Sequence, residues 1–125
     1  MKQFLILPVL LLTLLVETPA FSADFQKGFT AYESGDYATA LREWTPLAEQ
    51  GDASAQFNLG AKYHNGQGVI QDNVYAHMWW NIAASSGHKG AVKNRDIVAG
   101  KMTPTRIEDA QKLARECLRK KYKGC

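Results

Sequence analysis

The chain has 125 residues, of which 46% are hydrophobic and 22% are charged, and its formal net charge is +3. This length suits one small domain, and the modest charge gives no reason to expect a nucleic-acid partner. The two cysteines do not form a Cys-x-x-Cys motif, which excludes the usual thiol oxidoreductase site.

The amino-terminal residues 1–22 are typical of a secretory signal peptide. Lys2 precedes an apolar stretch from 4 to 16, and the small residues Ala20, Ser22 and Ala23 follow. The apolar stretch is shorter than the about 20 residues that span a bilayer. We therefore expect cleavage after residue 22 or 23, an exported domain covering 23–125 and no integral membrane span after cleavage. An uncleaved amino-terminal anchor is the alternative.

The spacing of apolar residues beyond the signal peptide predicts six helices, and no alternating pattern predicts a strand. Glycines at 35, 51 and 87 interrupt the helical pattern, and Asp36, Asp52 and Asp72 are suited to accept the first backbone N–H bonds of the helices that follow them. Thr103 and Pro104 are suited to begin the last helix. The predicted helices cover 25–34, 37–50, 53–65, 73–86, 89–99 and 104–122.

Three local features of the sequence each predict a specific structural arrangement. Pro46 lies inside the second helix and predicts a kink or a restart near Trp44, because proline removes one helix hydrogen bond. Gly60 costs about 1 kcal/mol of helix propensity, which predicts that another helix backbone passes close to it. Val69 and Ile70 are apolar loop residues, and we expect them to fill a gap between helices.

The chain repeats itself, and its repeat predicts the fold. The main repeat shift is 36 residues. Upstream of the loop a shift of 31 aligns Tyr32 with Tyr63 and Gly35 with Gly66. The difference between the two shifts implies five inserted residues, 67–71. A fainter third copy, at a shift of 34, aligns Ala110 with Ala76 and Cys117 with Ala83. We expect an all-α fold, a short right-handed solenoid of three antiparallel helix pairs, with the last helix as a cap. The main shift of 36 aligns Ala40 with Ala76, Trp44 with Trp80, Ala48 with Ala84, Gly51 with Gly87 and Ala55 with Ala91.

One segment of the repeat has a distinctive order of small, aromatic and glycine residues: Leu59-Gly60, Tyr63, Gly66, Gly68-Val69, Asp72, Ala76, Trp79, Ala83-Ala84 and Gly87-His88. This pattern resembles the Sel1-like repeat, a relative of the tetratricopeptide repeat. The resemblance implies an exported bacterial protein, periplasmic or secreted, that acts as a non-enzymatic adaptor for a protein or peptide partner in the envelope. The first helix of each pair would line a concave face, so the candidate partner-binding residues are Lys27, Asn58, Lys62 and Asn94.

The two cysteines, Cys117 and Cys125, are eight residues apart. On one straight helix they would lie about 12 Å from each other, which is too far for a disulfide, but Gly124 permits a reversal of the chain. A pair at this spacing resembles the disulfides of cysteine-rich secreted Sel1-like proteins, which implies a bond within the chain. Pairing between two chains and free thiols are the alternatives.

Other functions are weaker alternatives. The residues Arg119, Lys120, Lys121 and Lys123 form a basic cluster that predicts binding to the cell wall or another anionic surface. The resemblance also implies, as a remote alternative, an enzyme that binds or hydrolyses β-lactams. The sequence has no Gly-x-Ser-x-Gly elbow to carry a serine nucleophile. The histidines His64, His77 and His88 lack zinc-site spacing, so we expect no catalytic residue, no metal and no cofactor.

Overall fold

The computed structural model describes residues 22–125, so the predicted signal peptide lies outside the described residues except for Ser22. The described part is all-α, as predicted, and its six helices pack in sequential pairs. No strand occurs between residues 22 and 125. The helices are α1 (Phe25–Glu33), α2 (Tyr37–Glu49), α3 (Ala53–Asn65), α4 (Asn73–Ser85), α5 (Lys89–Ala99) and α6 (Pro104–Arg119).

Each helix begins at a side chain that accepts a backbone N–H bond. The predicted caps Asp36, Asp52, Asp72 and Thr103 all act in this way. The cap of α5 was not predicted: His88 uses its Nδ1 atom, 3.1 Å from the backbone nitrogen of Ala91. The His88 ring also stacks on Phe57 of α3, with 4.6 Å between ring centroids. This stacking places the start of α5 against α3.

A tryptophan joins the two helices of the first pair and another joins those of the second. The indole nitrogen of Trp44 donates to the carbonyl oxygen of Phe25, and that of Trp80 donates to Phe57, both at 3.1 Å. A Cβ atom placed on the facing glycine of α1 or α3 would lie 2.5 Å from the indole ring. The close neighbour of Gly60 is therefore the Trp80 ring, and the expectation of a helix backbone there was wrong.

These contacts also correct the repeat register of the first helices. The residues Phe25, Gly28 and Tyr32 around Trp44 correspond to Phe57, Gly60 and His64 around Trp80, which is a shift of 32 and not 31. The loop of residues 34–36 in the first pair becomes 66–72 in the second, so it gains four residues and not the predicted five. In this register Lys27 corresponds to Leu59 and is not equivalent to Asn58.

The third pair lacks the tryptophan. The shift of 34 places Ala114 at the position of Trp80, so no indole reaches from α6 to α5. The main partner of α6 is α4, and Ala114 and Cys117 join a buried cluster that includes Met78 and Ile82. The helix α4 is therefore the centre of the molecule, contacted by α3, α5 and α6.

The loop between α3 and α4 lies on α2. Gly68 approaches so closely that a Cβ atom there would be 2.7 Å from Cδ1 of Leu41. Val69 is half-buried and lines a cavity together with Leu41. Ile70 is 90% exposed, so the prediction that it fills a gap between helices was wrong. Since Gly68 and Val69 make the contact with α2, the chain turns Ile70 outward.

The second helix runs without a break from Tyr37 to Glu49, with Pro46 inside it, so the predicted restart does not occur. Ala40, Trp44 and Ala48 are all buried on the same side of this helix. Their packing stabilises the helix on both sides of the proline and offsets the hydrogen bond that proline cannot donate.

A disulfide joins Cys117 to Cys125, with a Cα–Cα distance of 5.6 Å, which confirms the intramolecular pairing. The helix α6 ends at Arg119, three residues before the predicted 122, and the backbone then turns through positive φ at Lys121 and Tyr122. The Tyr122 ring lies against Gly51, at the turn between α2 and α3. The bond thus holds the carboxyl-terminal segment against the first two helix pairs. No helix within residues 22–125 is long and apolar enough to cross a membrane.

Candidate partner-binding site

An aromatic cage on the first helix pair holds a lysine of the chain itself. The ammonium of Lys62, on α3, lies 3.6 Å from the ring centroid of Tyr32 and 5.9 Å from that of Trp44. It donates to the amide oxygen of Gln67 at 2.7 Å. The side chain is almost fully buried, and this burial lowers the pKa of Lys62 while Tyr32 partly opposes the shift. The charge is held by neutral groups and by cation–π attraction.

A cavity of about 150 Å³ lies at the corresponding place on the second pair, between α3 and α5. Trp80 lies beneath it, and the His64 ring is tilted against Trp80 with 5.6 Å between centroids. The cavity has both apolar and amide groups in its wall. Its lining residues are Ala61, His64, Asn65, Trp80, Asn94, Ile97 and Val98.

The cage and the cavity are equivalent by repeat. The shift of 36 that places Trp44 on Trp80 also places Lys62 on Val98, and both of these residues are buried. The shift of 32 places Phe29 on Ala61 and Tyr32 on His64. The side chains around the cavity are therefore smaller at these three positions, whereas the shift of 36 places the larger Ile97 on Ala61.

The comparison with known families agrees with the repeat seen in the structure. Residues 53–88 match the family model of the Sel1 repeat. This segment is a Sel1 repeat. It comprises α3, the glycine loop, α4 and the cap of α5, which is the unit that the sequence resemblance singled out. A search of curated proteins gave no match. The Sel1 repeat thus contributes α3 and Trp80 to the cavity, and the following helix α5 closes it.

The four predicted partner-binding residues lie in different environments. Asn94 lines the cavity beside the Sel1 repeat, and Asn58 is half-buried one repeat earlier. Lys62 is inside the cage, so its ammonium already has partners. Lys27 is exposed on α1, and its Nζ lies 3.5 Å from the buried carboxylate of Glu43. The two asparagines are the pair that the structure places one repeat apart along the first helices.

Sequence reasoning missed most of the cavity wall, including Ala61, His64 and Ile97. The signal was present in the repeat, because the correct shift of 32 aligns His64 with Tyr32. The same alignment shows small residues where the first pair has large ones. The ring of His64 is oriented by a hydrogen bond, since its Nδ1 lies 3.2 Å from Oδ1 of Asn73. The same oxygen accepts a hydrogen bond from the side-chain amide of Gln71.

The remaining titratable and nucleophilic residues of the Sel1 repeat do not come together. No group of three His, Cys, Asp or Glu side chains in residues 22–125 is arranged to hold a metal. Ser86 and Lys89 do have Ser-x-x-Lys spacing, but Gly87, at φ 88°, and the α5 cap separate them. They therefore belong to two different helix ends and do not share one helical turn. Ser85 donates its hydroxyl to the carbonyl of Ile82.

Proposed function

We propose that this protein is a non-enzymatic adaptor of the bacterial envelope that binds a segment of a partner protein on the face lined by α1, α3 and α5. Repeat domains of this kind generally mediate protein interactions. The observation that carries the proposal is the cavity between α3 and α5, which has Asn94 in its wall. An apolar cavity with a few polar groups can hold a side chain, and asparagine can bond a peptide backbone as donor and acceptor.

Repetition along the same face supports an extended ligand. Asn58 and Asn94 are equivalent by the shift of 36, and the α3 and α5 residues Ala55 and Ala91, aligned by the same shift, are both fully buried. The two asparagines are therefore presented by helices packed in the same way. A peptide that crosses α3 and α5 would meet them in succession, which favours an extended segment over a compact ligand.

The disulfide supports placement in the periplasm or outside the cell. Disulfides form and persist in oxidising compartments and are rare in the cytosol. The bond between Cys117 and Cys125 agrees with the predicted export signal at residues 1–22. Export would bring this face into contact with other envelope proteins.

The test is a pull-down from an envelope fraction with the purified mature chain, at low and at moderate salt. The Asn58→Ala/Asn94→Ala variant removes both amides, and Gln111→Ala, on an exposed part of α6, is the matched control. We expect one protein to be retained by the wild type and by Gln111→Ala at moderate salt, and lost with the double variant. Equal capture by all three proteins would refute the assignment of the face.

A second candidate function uses the basic cluster. Arg119, Lys120, Lys121 and Lys123 are all exposed, and the disulfide fixes the segment that carries them. Such a cluster would bind the cell wall or another anionic surface, and the Debye length of about 8 Å at physiological salt makes such binding strongly salt-dependent. This function would be favoured if partner capture disappears at moderate salt and is the same for the wild type and the Asn58→Ala/Asn94→Ala variant.

A further inference from the structure

We propose that the cavity between α3 and α5 receives a lysine side chain of the partner, in the way that the first helix pair receives Lys62. This inference rests on the proposed function, because it names the side chain that a partner would place on the same face. It depends on a comparison of two equivalent sites within one molecule. One site is occupied by a residue of the chain, and the other has an empty space at the same position.

The first pair shows which chemistry the site accepts. The Lys62 ammonium lies over Tyr32 and near Trp44, and its hydrogen-bond acceptor is the Gln67 amide. The methylene stem of lysine can pack along the rings while its head meets a π face and an acceptor. The site therefore binds an alkylammonium group by means of neutral side chains.

The second pair keeps the tryptophan of that site, has His64 in place of the closer ring, Tyr32, and lacks the lysine. Trp80 takes the place of Trp44, and tryptophan is the best aromatic partner for a cation. Val98, in place of Lys62, is too short to fill the space, and Ala61 replaces Phe29, although Ile97 in place of Ala61 narrows the cavity from the α5 side. The resulting cavity of about 150 Å³ is several times the volume of about 30 Å³ that one water molecule occupies in the liquid. It is open to a side chain from outside.

Hydrogen-bond acceptors are also present, although Gln67 has no counterpart there. Asn65 and Asn94 line the cavity and each carries an amide oxygen. The Nδ1 atom of His64 lies 3.2 Å from Oδ1 of Asn73, an oxygen that can only accept, so Nδ1 donates to it. The neighbouring cation Arg95 donates to Asn81 of α4 and to Asp96. Its charge is thereby engaged with other groups.

The experiment titrates the wild-type mature chain with two matched probes. N-acetyl-lysine methylamide carries the ammonium, and N-acetyl-norleucine methylamide has the same stem without it. The readout is the indole N–H resonance of Trp80 in nitrogen–proton NMR spectra, with Trp44 as the internal control. We expect the lysine probe to shift Trp80 saturably, with a dissociation constant about threefold or more below that of norleucine. Trp44 should not move, because Lys62 fills its cage.

Two results would overturn the inference. Norleucine binding as tightly as lysine would make the cavity an apolar side-chain pocket, and no Trp80 shift with lysine would mean that the cavity binds no such group. Either result would leave the adaptor proposal intact if the pull-down still depends on Asn58 and Asn94. The outcomes of the two experiments are therefore distinguishable.

A variant tests the repeat equivalence directly. Val98→Lys places a lysine of α5 at the cavity over the second pair, at the position that Lys62 of α3 has over the first pair. Val98→Leu is the control without an ammonium. We expect Val98→Lys to remain helical by circular dichroism and to lose the Trp80 response to the lysine probe. A folded Val98→Lys protein that binds the probe as the wild type does would contradict the proposal, and the wild-type titration decides the question if the variant fails to fold.

Discussion

At the scale of single residues, the contact between Gly60 and Trp80 is the most sharply defined feature of the Sel1 repeat. A Cβ atom at Gly60 would lie 2.5 Å from Cδ1 and from Nε1 of the indole. Alanine would gain about 1 kcal/mol of helix propensity but would force an overpacked ring costing about 1–3 kcal/mol. The Trp80 indole is also held by its bond to Phe57, so it has little freedom to move away.

We therefore expect Gly60→Ala to lower the free energy of unfolding by up to about 2 kcal/mol, the overpacking cost less the gain in helix propensity, as measured by urea denaturation. Gly100→Ala is the control, because Gly100 has ordinary helical backbone angles and only a carbonyl oxygen 3.4 Å from the added atom. That control should change stability little. If Gly60→Ala were more stable than the wild type, the tight contact would be refuted.

His77 makes the stability of the fold depend on pH. It is buried on α4, and its Nδ1 has no hydrogen-bond partner among the described residues. Burial lowers the pKa of His77 below its ordinary value of 6.5, and the nearby Arg95 lowers it further while Asp96 partly opposes this. The unfolded chain therefore binds a proton at a pH where the folded chain does not, so protons favour unfolding.

The contribution of His77 to stability is fully present above pH 6.5 and is lost as the pH falls from that value towards the lower pKa of the folded state. We expect the wild type to lose more free energy of unfolding between pH 7.5 and pH 5 than His77→Gln does, in urea titrations at the two pH values. Parallel losses in both proteins would show that other groups cause the acid sensitivity.

At the scale of elements, the disulfide joins the end of α6 to the segment that turns back from it. Cys117 is buried in the main core cluster, whereas Cys125 is half-buried against it. The closed loop is short, and its closure entropy predicts a stabilisation of about 2–3 kcal/mol. The bond also holds Tyr122 near Gly51, so its loss would release a contact with the turn between α2 and α3.

We expect reduction of the wild type to lower the free energy of unfolding by about 2–3 kcal/mol, as measured with and without a thiol reductant. The Cys117→Ala/Cys125→Ser variant is the control, since it should be destabilised and then unaffected by the reductant. A wild type that is equally stable in both conditions would show that the bond contributes nothing to the fold.

The elements were largely predictable from the sequence, because their signals are local. Apolar spacing located the helices, and an aspartate or a threonine marked the start of most of them. The repeat alignment of α1 with α3 was less predictable, because it is set by the contact of a tryptophan with a glycine on the facing helix. The matching tyrosines Tyr32 and Tyr63 suggested a shift that is wrong by one residue.

Side chains whose environment depends on distant elements were the hardest to predict. Lys62 resembled a surface residue, but the rings of Tyr32 and Trp44 enclose its charge. Ile70 resembled a core residue, but the close approach of Gly68 to α2 turns it outward. Both cases depend on how a neighbouring helix pair packs, which the local pattern of apolar residues does not contain.

At the scale of the whole molecule, two helix pairs, each joined by a tryptophan, and a capping helix support the face that we propose for partner binding. Along this face Lys62 of α3 lies over the ring of Tyr32 of α1, and the cavity lies between α3 and α5. On the other side, α6 packs on α4 and the disulfide fixes the carboxyl-terminal segment. Packing of this kind holds the asparagines and the cavity in a fixed relation, which limits the entropy lost on binding.

We propose that a partner protein binds at the cavity between α3 and α5. The most direct measurement is photo-crosslinking in the intact envelope, with a photoreactive amino acid placed at one of three exposed positions: 97 at the cavity, 111 on α6 and 123 in the basic cluster. We expect one crosslinked protein from position 97 and none from position 111. Crosslinks from position 123 alone would contradict binding at the cavity and would assign it to the basic cluster.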